Sequence, residues 1–578
     1  MGRAGWLRLL MLTVAASVSV TTGLAFLDLI GGNRPSLLDC VRTILLVLTG
    51  FWLVWGGSIG LLGAFAPRAR KAELRAPVGR TVILIPIYNE DPVETFARIA
   101  AMNRQIVASE NADKFHFAIL SDTTSLQVAA EEVSEFERLI VEPEAQGRIF
   151  YRRREKNTGR KAGNIEDFIA HSGGAYDYAL ILDADSLMEA DTIITMANRM
   201  DAEPQLGLLQ TVPVVIGART IFGRMMAFSS AYYSRYFARG AALLQGAEGP
   251  YWGHNAIVRV RAFASCCGLP VLSGKPPYGG HILSHDYVEA ALLARGGWKV
   301  EVDPELEGSY EQGPDNLVEY AKRDRRWCQG NLQHRRLVFA PGLKFWSRFT
   351  FVQGIMAYMA SPLWLLIVAT SLFASLVPDR GGDRWGWTPW IISIGILTIL
   401  LAPKFAIAIR GAIDGTNRRF GGWSVLPSVL SEIVLSTIVA PVLLAFQSRA
   451  VFQILFGFDG GWPATARDAR AVAMKTAIAS SWWISAIALA AIGFLALVGP
   501  NFLVWLLPMA LPALLAPLVI WASAIGGNSQ PSRWLFTVPS ERSPTAVITE
   551  ADAILNAWRA PTTITVAEPV RTIVHAPA

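Results

Sequence analysis

The 578-residue chain carries only 4 cysteines, Cys40, Cys266, Cys267 and Cys328. Their spacing supplies neither a disulfide framework nor a metal site, so they read as small packing residues. Charge is thin as well, at 17 % against 52 % hydrophobic residues, which is too apolar a balance for an ordinary soluble protein. No aromatic-interleaved basic stripe accompanies the net charge of +6, which excludes nucleic acid as the natural partner. The first apolar run is followed by no small-residue cleavage site, so it is expected to be a retained span.

What the sequence has instead is long apolar runs. Uncharged stretches at 9–27, 43–66, 351–378, 385–403, 477–500 and 503–525 meet the requirement of about 20 residues for crossing a bilayer. A further run, 424–446, holds Glu432 in its middle. Basic residues place the loops: Arg68, Arg70, Lys71, Arg75 and Arg80 follow the second run, Lys404, Arg410, Arg418 and Arg419 the fourth, and Arg467 and Arg470 lie beyond 446. Those segments are expected on the cytoplasmic side. The 424–446 run is then bounded by cytoplasm at both ends and is predicted to lie in the interface with Glu432 on its wet side, a crossing or paired span being the alternative.

The resulting plan is two spans (1–77), a cytoplasmic α/β domain (78–336), two spans (337–423), an interfacial helix and cytoplasmic loop (424–476), two spans (477–526) and a cytoplasmic tail (527–578). Both termini fall inside.

Within the soluble insert, strand patterns at 81–89, 115–122, 148–154 and 176–185 alternate with helical patterns at 92–108, 127–141 and 160–170. That order predicts βαβ units and a mostly parallel sheet, whose ligands bind beyond the carboxyl ends of the strands. Tyr88, Asn89, Glu90, Asp122, Asp183 and Asp185 collect at those ends. In "ALILDADSLM" the period of two sets Asp183 and Asp185 on one side of an extended backbone, although Asp183 could instead cap the following helix. Two such carboxylates suit a hard divalent cation that shares its remaining positions with water and a substrate phosphate. "NTGRKAGNIED" brings a glycine-containing loop, a helix start and Lys161 towards an anion.

Three later motifs complete the pattern: "YWGHNAIVR" from Tyr251, "GGHILSHDYVEAAL" from Gly279 and "RDRRWCQGNLQH" from Arg323. With the early Asp and the D-x-D, they resemble the processive inverting glycosyltransferases of family 2, which include cellulose, chitin and hyaluronan synthases. The resemblance is nearer still to the group that makes osmoregulated periplasmic glucans in the bacterial inner membrane. It implies a multi-span α-helical membrane protein with a cytoplasmic α/β domain of the GT-A glycosyltransferase type.

By that resemblance Tyr88, Glu90 and Asp122 hold uridine, Asp183 and Asp185 hold UDP and the metal (Mg²⁺ or Mn²⁺), and Lys161, Arg323 and Arg326 meet the diphosphate. Asp286 is the catalytic base. Trp327 and the segment Trp252, Gly253, His254 and Asn255 hold the acceptor, and Trp462, Thr465 and Arg467 lie on a loop that closes over the nucleotide. Two departures stand out: Ser284-His285-Asp286 where many relatives have Thr-Glu-Asp, and Arg323 where many have Gln. Both agree with the glucan group and argue against cellulose synthase itself.

The implied reaction is polymerisation of UDP-glucose into a β-1,2-linked glucan exported through the spans, with Gln353, Tyr358, Trp364, Trp482 and Trp483 as lining candidates. The partners implied are UDP-glucose, the growing glucan and membrane lipid, with an acyl carrier protein and periplasmic glucan-processing proteins as further ones. Bland rivals remain: Asp286 as a helix cap, and Trp327 as an interfacial anchor. Other functions also remain open, namely a non-processive transfer to a lipid carrier and a transporter with a regulatory nucleotide-sugar domain.

Overall fold

The computed structural model describes residues 2–32, 34–68, 77–376, 388–459, 471–526 and 534–560. Two apolar helices come first, α1 (Arg3–Gly31) and α2 (Leu37–Phe65). The second starts at a capping box, in which Ser36 and Asp39 satisfy each other's backbone N–H groups.

The insert opens with β1 (Thr81–Ile87), α3 (Pro92–Val107), β2 (Phe115–Ser121), α4 (Leu126–Ile140), β3 (Ile149–Arg153), α5 (Arg160–Ser172) and β4 (Tyr178–Ile181). These four strands lie parallel in the order β3-β2-β1-β4. β1 and β4 are apolar on both faces because helices cover both, and so they read as continuous hydrophobic runs. Asp91 caps α3 and Ser125 caps α4, each accepting from a first-turn N–H.

The chain continues through β5 (Leu187–Met188), α6 (Ala190–Ala202), β6 (Leu206–Gln210), β7 (Val214–Ile216), α7 (Ile221–Gln245), β8 (Ala256–Arg259), α8 (Val260–Cys266), α9 (His285–Arg295), β9 (Lys299–Val302), β10 (Ser309–Gln312) and α10 (Leu317–Gln333). β8 inserts antiparallel between β4 and β6, and β9 closes a seven-stranded sheet. A small second sheet, β5-β10-β7, sits at its carboxyl edge.

The domain is mounted on the membrane helices through α7. A Cβ on Gly63 of α2 would fall 1.7 Å from the Tyr236 carbonyl oxygen, and one on Gly240 of α7 would fall 2.1 Å from that of Ile59. The two backbones therefore touch, and no larger residue fits at either position. At the start of α1, Arg8 donates to the carbonyls of Leu244 and Gln245 at the end of α7, at 2.6 and 2.7 Å.

The remaining apolar helices are α11 (Phe345–Ala374), α12 (Thr388–Ile413), α14 (Val425–Leu455) and α15 (Met474–Val498), with the short α13 (Thr416–Arg419) between α12 and α14. They are followed by the pair α16 (Leu503–Leu514) and α17 (Ala516–Ser523), bent by 57° where Pro517 lacks the N–H that would continue the helix. Among the described residues, six single helices are long and apolar enough to cross a membrane, and the bent pair would make a seventh.

Length and apolarity alone pass α14 as a span, but both its ends pack on helices of the insert. Val425 and Val429 join Phe228 of α7, and Ala450, Val451 and Ile454 join Cys328 and Leu332 of α10. Glu432 does not face water as expected. It is 4 % exposed and accepts two hydrogen bonds from Lys404 of α12, at 2.6 and 2.8 Å, because a carboxylate buried among apolar helices needs a counter-charge.

The terminal region holds a last helix, α18 (Ala546–Arg559), which lies outside the 78–336 boundary yet belongs to the domain. Its Val547, Ile548, Ala551 and Ile554 are part of the same core as Phe96 and Ile99 of α3. The amphipathic spacing explains the docking, since four apolar residues on one face have no other place to be buried.

Candidate active site

The carboxyl edge of the sheet opens into a cavity of about 1290 Å³. Tyr88, Glu90, Asp122, Lys161, Asp183, Asp185, Trp252, Gly253, His254, Asp286, Arg323, Arg326 and Trp327 all line it. Asn255 does not. It is 0 % exposed and its amide donates to Ser309 Oγ and the Tyr310 carbonyl, so it ties the loop to β10 rather than meeting an acceptor. Trp462, Thr465 and Arg467 lie outside the described residues.

The D-x-D is not the extended strand end expected from alternation. β4 stops at Ile181, and residues 183–186 form a turn in which Ser186 N–H donates to the Asp183 carbonyl at 3.0 Å and Ser186 Oγ accepts from Asp183 N–H at 2.9 Å. The turn delivers both carboxylates to the cavity, and the next helix starts only at Ala190, with Glu189 at its N-cap position, so Asp183 is no cap.

Asp183 stands among cations. Lys161 Nζ donates to Asp183 Oδ1 and, at 2.6 Å, to the Gly253 carbonyl, while His254 Nδ1 lies 3.7 Å from Asp183 Oδ2. Burial would raise the Asp183 pKa, but Lys161, His254 and Arg323 together hold it well below the usual carboxylate range. His254 was expected with the acceptor and instead bridges two acids, its Nε2 donating to Glu311 at 2.8 Å. Burial disfavours its charged form, yet Asp183 and Glu311 push its pKa up to about 9, so it is a cation at neutral pH.

Asp122 is buried at the end of β2 with both oxygens engaged. Arg154 donates to them in a fork at 2.8 and 2.7 Å, and Asn164 adds a third bond at 2.9 Å. Glu90 folds back to accept from the Tyr88 N–H.

Asp286 occupies the first turn of α9, where Ser284 holds the N-cap position without a side-chain capping bond and the Asp286 carboxylate accepts a backbone hydrogen bond from Tyr287. Its carboxyl lies 3.6 Å from where a Cβ on Gly253 would stand, close to the Lys161 loop contact. Burial raises its pKa, and neighbouring Glu289 adds to the rise against the lowering effect of His285. That shift moves a carboxylate towards the range useful to a general base. His285 pairs with Glu289 at 3.0 Å beneath it.

On α10, capped by Asn316, Arg323 lies 4.5 Å over the Trp327 ring. Trp327 is 43 % exposed and offers a flat face to the cavity. The cavity then runs on between Gly56 of α2, Phe237 and Ala241 of α7, and Gln353, Gly354 and Tyr358 of α11. Of the lining candidates, Gln353 and Tyr358 reach it. Trp364, Trp482 and Trp483 do not, and Trp483 packs edge-on against Phe446.

Three contributors escaped sequence reasoning: Arg154, Glu311 and Asn164. Each pairs with its partner across strands or loops far apart in the chain: Arg154 and Asn164 with Asp122, and Glu311 with His254. Among the described residues no cluster of three or more metal-ligating side chains occurs. The pair Asp183 and Asp185 nevertheless fits a hard cation that takes its other ligands from water and phosphate.

The model of glycosyl transferase family 2 matches residues 82–266, and that of glycosyl transferase family group 2 matches residues 178–403. The chain is 51 % identical over 567 residues to a glucans biosynthesis glucosyltransferase H of Cereibacter sphaeroides, covering 94 % of each chain. To that of Caulobacter vibrioides it is 41 % identical, over 82 % of this chain and 74 % of the relative. Among solved structures, a mannosyltransferase of Pyrobaculum calidifontis in complex with GDP-Man and Mn²⁺ overlaps 65 % of this chain and 99 % of its own, with 14 % identity and a TM-score of 0.42. The chain therefore belongs to glycosyl transferase family 2, within the glucans biosynthesis glucosyltransferase H group, and is a glycosyltransferase with several membrane-compatible helices.

Proposed function

We propose that this chain polymerises UDP-glucose processively, with inversion, into the linear β-1,2 backbone of osmoregulated periplasmic glucans and passes it across the inner membrane. The observation that carries the reading is the continuity of one cavity, from Asp183 and Asp185 past Asp286 and Trp327 to Gln353, Gly354 and Tyr358 on α11. Nucleotide, base, acceptor platform and exit share one space.

In this reading Tyr88 and Glu90 receive the uridine, and Asp122, fixed by Arg154, shapes the same end. Lys161, His254, Arg323 and Arg326 surround the diphosphate with positive charge, preorganised where charge grows as UDP leaves. Asp183 and Asp185 would hold Mg²⁺ or Mn²⁺, which supplies Lewis-acid stabilisation of the leaving diphosphate. Asp286 takes the proton from the acceptor hydroxyl as it attacks the anomeric carbon from the opposite face. One displacement turns an α-linked donor into a β-linked product. Trp327 offers its face to the terminal sugar.

In this reading the catalytic domain, both termini and the loop after α14 are cytoplasmic, which the basic loops support, and α14 lies along the interface, which the packing of both its ends on the domain supports. Purified protein given UDP-glucose and Mg²⁺ should release UDP and form a β-1,2 polymer. In sealed vesicles that polymer should accumulate on the side away from the donor. A single glucose on a lipid would instead favour the non-processive reading, and product confined to the donor side would remove the export step.

A further inference from the structure

The "RDRRWCQGNLQH" motif does more than its first half explains. Arg323, Arg326 and Trp327 line the cavity, whereas Gly330, Gln333 and His334 turn the other way, onto the 279–284 loop that leads into α9 and Asp286. Gln333 is 1 % exposed: its Oε1 accepts from the Leu283 N–H at 3.0 Å, and its Nε2 lies 3.4 Å from each of the carbonyls of Gly279 and His281. His334 is 0 % exposed and its Nε2 lies 2.9 Å from the Ser284 carbonyl. A carbonyl only accepts, so Nε2 carries the hydrogen, and burial, which drops the ring's pKa to about 4, keeps it neutral.

Gly330 completes the seat. A Cβ there would fall 2.2 Å from Ser284 Oγ and 2.7 Å from Ser284 N, so the helix and the loop are in backbone contact. The His334 ring is also sandwiched between Phe351 of α11, at 4.9 Å, and Tyr287 of α9, at 5.8 Å. Buried polar side chains need partners. Gln333 and the Nε2 of His334 find theirs on the backbone immediately before Asp286, while His334 Nδ1 is buried without one.

We propose that Gly330, Gln333 and His334 are positioning residues for Asp286, so that one helix presents the acceptor platform and sets where the base stands. The geometry makes platform and base one rigid body: a glucan seated on Trp327 meets Asp286 in a fixed relation at every addition. This rests on the assignment of Asp286 as base made above.

Gly330→Ala is the first test. It sits inside a helix, where alanine is favoured over glycine by about 1 kcal/mol, but its Cβ presses on Ser284, so the thermal unfolding midpoint is measured beside turnover to separate lost folding from lost positioning. Its kcat for UDP release from UDP-glucose should fall ~10²-fold, the cost of misplacing a reacting group by about 1 Å. The donor KM and UDP affinity by calorimetry should stay within about twofold, since the donor contacts are untouched. His334→Leu should behave likewise, and His334→Gln, which keeps a donor at the Nε2 position, should recover most of the kcat.

Wild-type kcat in Gly330→Ala, or equal losses of kcat and UDP affinity, would overturn the positioning role. Asp286→Asn is assayed beside them. If it is active, the base assignment falls; if it is inactive while Gly330→Ala and His334→Leu turn over normally, the positioning role alone falls.

Discussion

The two ends of the cavity are built from different materials. At the donor end, strand-end loops supply carboxylates, and two of them come with cations already in place: Arg154 on the buried Asp122, Lys161 and His254 on the half-buried Asp183. At the end towards α11, which the proposed function makes the exit, helices supply aromatic faces and small residues, Trp327, Phe237, Tyr358, Gly56, Gly354 and Ala241. A nucleotide diphosphate must be gripped with its charge compensated, because unpaired charge is costly to bury. A neutral polymer must slide, and flat rings with few fixed charges hold sugars without trapping them. In the proposed function, the difference separates donor binding from polymer passage.

Substitutions at each end break that comparison in different ways. Asp286→Asn, at the junction, has the largest expected effect: kcat should fall ~10²- to 10⁴-fold, the usual contribution of a positioned base, while calorimetry finds UDP binding unchanged. Lys161→Met should act at the donor end only. It should weaken UDP affinity by ~10- to 100-fold, as expected for losing charge-assisted contacts. Trp327→Ala should do the reverse, leaving UDP affinity intact while chromatography shows shorter product.

The His254 cation gives a pH test of the donor end. Its pKa is raised from 6.5 to about 9 in the folded protein, so the stability it contributes is fully present below pH 6.5 and is lost as pH rises through about 9. Thermal unfolding in detergent should show the wild-type midpoint falling across that window, and His254→Gln should flatten the fall. The smallest effect belongs to an exposed ion pair on the domain surface. Arg559 on α18 pairs with Asp91 at 2.6 Å, but both are exposed, so Arg559→Ala should cost less than about 1 kcal/mol. Ile554→Ala on the same helix should cost about 2–5 kcal/mol, because it empties part of the domain core.

Much of the donor end was legible beforehand. β1 to β4 appear where apolar runs meet polar residues, and their parallel order puts Glu90, Asp122 and Asp183 at one edge. Patterning is local, and strands and helices announce themselves through it. What failed were inferences that needed a partner. Glu432 looked wet because its counter-charge, Lys404, lies 28 positions away on another helix. Asn255 sits beside cavity residues in sequence but turns inward, at a backbone φ of +51°, to bond β10. His254 likewise belongs to the acids of the donor end, a placement that no spacing in "YWGHNA" reveals.

By itself, then, the sequence determined the apolar runs, the βαβ order and which residue types gather at the strand ends, since each follows from periodicity and turn chemistry along a short stretch of chain. Only the tertiary structure decided what pairs with Asp122, Asp183 and Glu432, that α18 completes the domain core, and that α10 packs against the loop leading into Asp286. Those outcomes depend on contacts between segments tens to hundreds of residues apart, where charge pairing and close packing, and no local pattern, choose the neighbour.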